Sequence, residues 1–271
     1  MKLFKKPNKS KFKVNFSDWG FPLGKRPALR DSRNIKFKNI LKDIPLPEVP
    51  EDYDFDVVYK QYSIPTPMFA NDQYGNCVIA GRAHQTLRFE LFEQKKILPI
   101  TDSHVIDEYW DQSGGKGPQY DNGLVVLHSL SQWRNKGWRI GCHKYNIHAF
   151  AQINPKSQKE VKEAIYFMTG VGVGLMLPTS AKNQFHKNER WGLVEGNSGD
   201  YGSWGGHYVY INGYTKEGPI CVTWGKYQHM TWEFFYNYCD EAYAIIDSKN
   251  QFTEDSPVDI NKLEEYLNQI A

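Results

Sequence analysis

Apolar positions in the first half of the body recur at three- and four-residue intervals. The run CVIAGRAHQTLRFELFEQKK from Cys77 sets Ala80, Ala83, Leu87 and Leu91 on one face, the spacing of a buried helix, with Asn76 standing where an N-cap would. A loop-rich segment is expected up to about residue 123. A second helix follows at LVVLHSLSQWRNKG, where Val126, Leu130 and Trp133 share a face. Ser157 and Glu160 have the spacing of a capping box ahead of Val161, Ala164, Ile165 and Met168, and Gly170 suits the helix exit.

After Gly170 the pattern changes. VGVGLML, HYVYINGY, PICVTWG and EAYAIID are short, rich in β-branched and aromatic residues, and bounded by Gly, Pro, Asn and Asp, so they predict strands of an antiparallel sheet or barrel. A last amphipathic helix, DINKLEEYLNQI, closes the chain. Helices first and strands later predict an α+β protein whose helical half packs against an antiparallel β half, and the seam between them is a common place for a site.

Residues 1–45 lack either period. They mix Lys, Arg and Asn with isolated aromatics (Phe4, Phe12, Phe16, Trp19, Phe21, Phe37) and lead into a proline cluster at Pro45, Pro47 and Pro50. Charge sharpens this division: residues 1–42 hold 13 Lys/Arg against 2 Asp/Glu, a net +11, and the rest holds 20 against 29, a net −9. The chain therefore divides into a basic N-terminal arm or propeptide-like extension, residues 1–50, and a body, residues 51–271. Such an arm is expected either to lie on its own acidic body or to seek a polyanion such as nucleic acid.

With 40% hydrophobic and 15% aromatic residues in 271, the chain has ample material for a core, which excludes global disorder. No run approaches the roughly eighteen apolar residues of a membrane span, and the first twenty residues are basic without an apolar stretch, so a protein without membrane partners or secretory signal is expected. Cys77, Cys142, Cys221 and Cys239 have no CxxC spacing and are too sparse for a disulfide scaffold. A reducing, cytoplasmic setting is the expectation.

Cys77 opens a predicted helix just after a Gly-containing turn, where unpaired N–H groups and the helix dipole favour a thiolate. It is expected to be the most reactive of the four thiols. His207, behind Gly205-Gly206, opens a predicted strand 130 residues downstream. An imidazole there can face the cysteine across the groove between the halves, and a separation of roughly 130–150 residues suits papain-type enzymes.

With these residues in place, the sequence resembles the papain family of cysteine peptidases over roughly residues 51–247. GNCVIAGRA resembles the family's Gly-x-Cys turn and helix, VGVGLML the strand lining its substrate cleft, GGHYVYINGY its His strand, and VTWG its Asn-Ser-Trp-Gly segment. YDNGL resembles the Cys-Asn-Gly-Gly loop, which makes Gly123 the expected substrate-binding glycine. The family commonly joins two cysteines whose positions here hold Tyr74 and Tyr120, so both partners of that disulfide are absent together.

The resemblance implies Cys77 as nucleophile, His207 as general base and acid, and an oxyanion donor at Gln73 or Asn71, with Gln73 favoured for its reach and Asn71 aligned without gaps. It requires no metal or organic cofactor. The family's orienting Asn aligns with Val222, which has no side-chain acceptor. Thr223 is expected to point to the opposite face, leaving His207 to a backbone carbonyl, to water, or to poor orientation. The expected function is peptide-bond cleavage in a peptide or protein substrate. The alternative is a catalytically weakened papain-fold binding or structural protein, associated with nucleic acid through its arm.

Other residues carry less. His84 reads as a packed or solvated helix residue, Cys142-His143 lacks further ligands for a metal, and Cys221 and Cys239 read as core thiols. Trp204 and Trp224 are either a shield for the histidine or ordinary core aromatics. Gly172 and Gly174 form no phosphate loop.

Overall fold

The switch in periodicity after Gly170 marks where most of the sheet begins: five of its seven strands follow, while two short ones precede it, and helices pack on both of its faces. The computed structural model describes residues 21–247 and 256–269; the arm aromatics Phe4, Phe12, Phe16 and Trp19 lie outside the described residues. In chain order the elements are β1 (Tyr53–Asp54), α1 (Phe55–Val58), α2 (Cys77–Gln94), α3 (Asp102–Ser113), α4 (Val126–Asn135), β2 (Trp138–Ile140), β3 (His143–Tyr145) and β4 (Ala149–Gln152). They continue with α5 (Gln158–Phe167), β5 (Val171–Leu177), α6 (Thr179–His186), β6 (Gly205–Thr215), β7 (Gly218–Thr223), β8 (Lys226–His229), α7 (Trp232–Tyr238), β9 (Cys239–Ile246) and α8 (Ile260–Gln269).

An antiparallel seven-stranded sheet runs β4-β9-β5-β6-β7-β8, with β1 also paired to β6. Strand alternation divides its side chains between two cores. Tyr208, Tyr243 and Ile245 join Val78, Ala83, Leu87, Tyr109 and Trp133 of the helical half, while Val209, Ile211, Ala242 and Ala244 face a second core with Ile165, Phe234, Phe235 and Leu263. This is the expected α+β architecture.

Helix α2 departs from the simple amphipathic picture because it is buried on every side from Cys77 to Leu91. Its charged side chains need partners in a dry environment. Arg82 bonds Glu108 at 2.9 Å and the Ser129 carbonyl at 2.8 Å, and Arg88 bonds Asp56 through Nε at 2.8 Å. Asn76 precedes the helix, but its side chain makes no cap; it donates to Phe69 O at 2.9 Å and accepts from Asn71 Nδ2 at 2.9 Å. The segment expected to be loop contains α3, which buries only Val105, Tyr109 and Trp110, a stripe too narrow to stand out among polar neighbours. Ser157 caps α5 as expected by accepting from Glu160 N, whereas Glu160 Oε1 accepts from Asn154 N at 3.1 Å.

The second half of the basic extension is structural core. Ile35, Phe37 and Ile40 are buried in the second core, and the backbone there is tied by Gln152 N to Ile35 O at 2.7 Å and Asp259 N to Ile40 O at 2.7 Å. The segment threads between β4 and α8. Phe37→Ala is therefore expected to destabilise the whole fold by about 3–5 kcal/mol, the usual cost of emptying a buried aromatic site. Urea unfolding followed by tryptophan fluorescence measures this; a loss under about 1 kcal/mol would mark residues 35–40 as peripheral.

Candidate active site

Two turns bring the nucleophile candidate to the seam. In the first, Phe69 and Ala70 adopt left-handed φ values of 55° and 53°, and Asn71 Nδ2 also reaches Tyr74 O at 3.2 Å. This bracing sets Gly75 and Asn76 so that α2 starts at Cys77. In the second, Asp121 is buried and accepts from Gly75 N at 3.0 Å and from the Tyr109 hydroxyl, which in turn accepts from Gly123 N at 3.1 Å. The carboxylate and the phenol thus join the Cys77 turn to the Gly123 turn by hydrogen bonds. The tyrosines at the absent cysteine positions do not make this link: Tyr74 packs edge-on against Trp110 and Tyr120 is exposed.

His207 lies on β6, fully buried, with its ring stacked on Trp224 at 4.0 Å and 11°. Its Nε2 meets Thr223 Oγ1 at 2.7 Å. This corrects the expectation that Thr223 points away, and strand register gives the reason. Val222 pairs with Tyr210 and so shares the face of Tyr210, while Thr223, one residue on, shares the face of His207, Val209 and Ile211. In the tautomer that donates Nε2–H to Thr223, Nδ1 keeps its lone pair; that nitrogen is buried and makes no other hydrogen bond. Trp224 therefore covers the imidazole, with Trp204 at 5.4 Å behind it.

The space in front of Cys77 is filled by the chain's own residues 21–26. Phe21 packs against Trp224 at 5.1 Å and Phe185 at 5.4 Å. Gly24 O accepts from Leu124 N at 2.8 Å, Arg26 N donates to Leu124 O at 2.9 Å, and Lys25 N donates to Gly206 O at 3.0 Å. One extended strand thus bonds both walls of the seam, and Pro22 through Lys25 are buried. A Cβ on Gly24 would collide with Gly75 O, and one on Gly123, whose φ is +67°, would collide with Gly24 O. Gly123 thus leaves room for the chain's own Gly24, and the hydrogen bonds to the strap come from Leu124.

Burial dominates the electrostatics. It raises the Cys77 thiol to about 11, against the partial help that the N–H groups of Tyr208, Gly24 and Val78 give the thiolate. It lowers His207 to about 3. With the strap in place both groups are neutral near pH 7. Cys142 is the exposed thiol, so Cys77 is not the most accessible one in this form.

The two amide candidates separate clearly. Asn71 is buried and its Nδ2 is committed to Tyr74 O and Asn76 Oδ1, whereas Gln73 is exposed on the same turn. His84 is buried against Phe69 at 4.9 Å, which pushes its imidazole well down. Cys221 and Cys239 are buried in β7 and at the start of β9. No group of three or more His, Cys, Asp or Glu suited to a metal occurs among the described residues, and no helix among them is long and apolar enough to cross a membrane. Sequence reasoning missed Thr223, Asp121, Tyr109 and the role of Gly24, all of which depend on partners distant in sequence.

Comparison with solved structures places this architecture. The chain is similar to xylellain, a cysteine protease from Xylella fastidiosa, with a TM-score of 0.64 at 15% identity over 92% of this chain and 100% of that one. It is similar to a procathepsin B from Trypanosoma congolense (TM-score 0.59, 14% identity, 83% and 87% of the two chains) and to a Carica candamarcensis cysteine protease (0.52, 14%, 74% and 100%). No protein-family model and no curated protein matches the chain. The fold is that of the papain-like cysteine proteases.

The depressed His207 gives stability a sign with pH. An unfolded imidazole with an ordinary value near 6.5 binds a proton that the folded one refuses, so stability falls as pH drops from about 6.5 towards 3. Between pH 7 and pH 5 the wild type should lose about 2 kcal/mol more than His207→Asn. Urea unfolding of both proteins at the two pH values measures the difference; equal losses would show that His207 titrates normally.

Proposed function

We propose that the chain is a thiol-dependent peptidase whose own residues 21–26 hold it in a latent, covered form. The observation that carries this reading is the placement of Cys77 at the start of α2, beside the His207 strand, with Gly24 packed against Gly75 two residues before it. The cleft walls already bond a peptide backbone, so a substrate strand has the same donors and acceptors available once the arm leaves. One of the similar proteins is itself a procathepsin, a further reason to read the cover as a latency device.

In the uncovered form, His207 Nδ1 takes the Cys77 proton as the sulfur bonds to the scissile carbonyl carbon. The Cys77 N–H and the Gln73 amide stabilise the oxyanion. The intermediate collapses by breaking the C–N bond, and the imidazolium gives its proton to the leaving amine. Water then attacks the thioester, His207 again takes and returns the proton, and the acid departs with the thiol restored. Thr223 holds the imidazole through Nε2, and when it accepts the Nε2–H it leaves the Nδ1 lone pair that this sequence needs. Peptide or protein is the substrate class. Binding of the arm to the acidic body is the proposed reason for the charge asymmetry, through Lys25.

Gly24→Ala tests the reading in the full-length chain, because the added methyl cannot lie against Gly75 O. With the wild type, a peptidyl vinyl sulfone should modify the exposed Cys142 and spare Cys77. In Gly24→Ala, mass mapping should find Cys77 modified about tenfold faster or more, and His207→Ala in that background should abolish the gain. Cys77 remaining inert in a folded Gly24→Ala protein would refute the nucleophile assignment. In the same background, Thr223→Val should lower kcat about tenfold with little change in KM, since the hydroxyl acts on the imidazole and not on the bound peptide.

A further inference from the structure

Lys25 occupies a pocket whose chemistry is unusual for a cleft lined by a hydrophobic core. Its side chain is fully buried, with Nζ 2.6 Å from Asp240 Oδ2 and 3.2 Å from Glu241 Oε1. Met176 S is at 3.9 Å, and Glu241 Oε2 accepts from the Tyr243 hydroxyl at 3.2 Å. The pocket floor opposite is Gly174, where a Cβ would strike both the Lys25 stem and the Glu241 side chain.

Adjacent residues of a regular strand point to opposite faces, so Asp240 and Glu241 should not reach one cation. They do so because the β5–β9 register slips here: Gly174 pairs with Glu241 but Leu175 pairs with Cys239, leaving Asp240 as the extra residue of a bulge. The bulge concentrates two carboxylates on one site a few residues from the seam. Asp240 Oδ1 is also buried and has no hydrogen-bond donor, so the pocket holds more acceptor capacity than one ammonium uses.

Resting on the peptidase reading above, we infer that this pocket selects a basic side chain, lysine or arginine, in the peptide that occupies the cleft, and that Lys25 fills it as a resident mimic. A buried Glu241 carboxylate beside a largely shielded Asp240 is strongly disfavoured without a cation, so an occupant lacking positive charge leaves them unpaired, whereas a cation satisfies both. The spare oxygen on Asp240 suits the forked guanidinium, which can bond both carboxylates together. Gly24, one residue before Lys25, packs against Gly75, two residues before Cys77, so the selected side chain lies close to the nucleophile's turn.

Two readouts in the full-length Gly24→Ala chain separate this inference from the peptidase assignment. The first is binding without catalysis. With Cys77→Ser added, fluorescence anisotropy of labelled hexapeptides Phe-Pro-Leu-Gly-Xaa-Arg should show lysine or arginine at Xaa binding about tenfold tighter or more than norleucine, and glutamate weakest. Asp240→Asn with Glu241→Gln should erase the preference between lysine and norleucine without loss of norleucine binding. The second is turnover of a fluorogenic peptide library by the Gly24→Ala chain with Cys77 intact, where cleaved members should be enriched in lysine and arginine at one position. Equal binding of lysine and norleucine, or turnover without basic enrichment, overturns the pocket assignment. A charge preference in binding with no turnover of any peptide upholds the pocket and removes the peptidase reading.

Discussion

Lys25 carries its charge where water does not reach, and the structure around the seam is arranged to make that tolerable. The ammonium is held by Asp240 and Glu241, its own backbone N–H by Gly206, and the neighbouring Gly24 by Leu124. Removing any one partner leaves a buried polar group unmatched, so the six residues of the strap stand or fall together. Their presence sets the state of the site. They dry it, and dryness is what keeps Cys77 protonated and His207 uncharged. Because the ion pair is shielded from water, salt screens it weakly.

The rigid part of the site is built differently. The turns that carry Cys77 and Gly123 come from distant parts of the chain, and a crosslink between them is needed if the cleft is to keep its width. Asp121 and Tyr109 supply it by hydrogen bonds, which survive where a disulfide would be reduced. A carboxylate shielded from water and shared by an N–H and a hydroxyl is directional as well as strong, so it fixes the turns in register. The histidine is held by a comparable economy of means: one hydroxyl on one side and one indole face on the other.

Residues 35–40, downstream of the strap, are anchored in the second core by Ile35, Phe37 and Ile40, so on the proposed latent reading a released strap stays tethered at high local concentration. Residues 21–40 are thus two things in sequence: a strap over the seam and a structural thread behind it.

The helix beginning at Cys77, the core faces of α4 and α5, the strands β5, β6, β7 and β9 and the last helix were legible in the chain, because each rests on local periodicity or on a cap or turn residue within a few positions. Thr223 was misjudged because its face depends on which residue of β6 stands opposite Val222, and pairing register is a property of two strands, not of one. Asp240 and Glu241 gave no signal for a related reason: a bulge on β9 is what turns two neighbouring acids towards one pocket. α3 was overlooked because three buried side chains in twelve residues make too narrow a stripe. The net +11 of residues 1–42 was visible in composition, but only the tertiary structure decided that Lys25 would be buried in the cleft, since burial of a charge depends on partners brought together from across the whole chain.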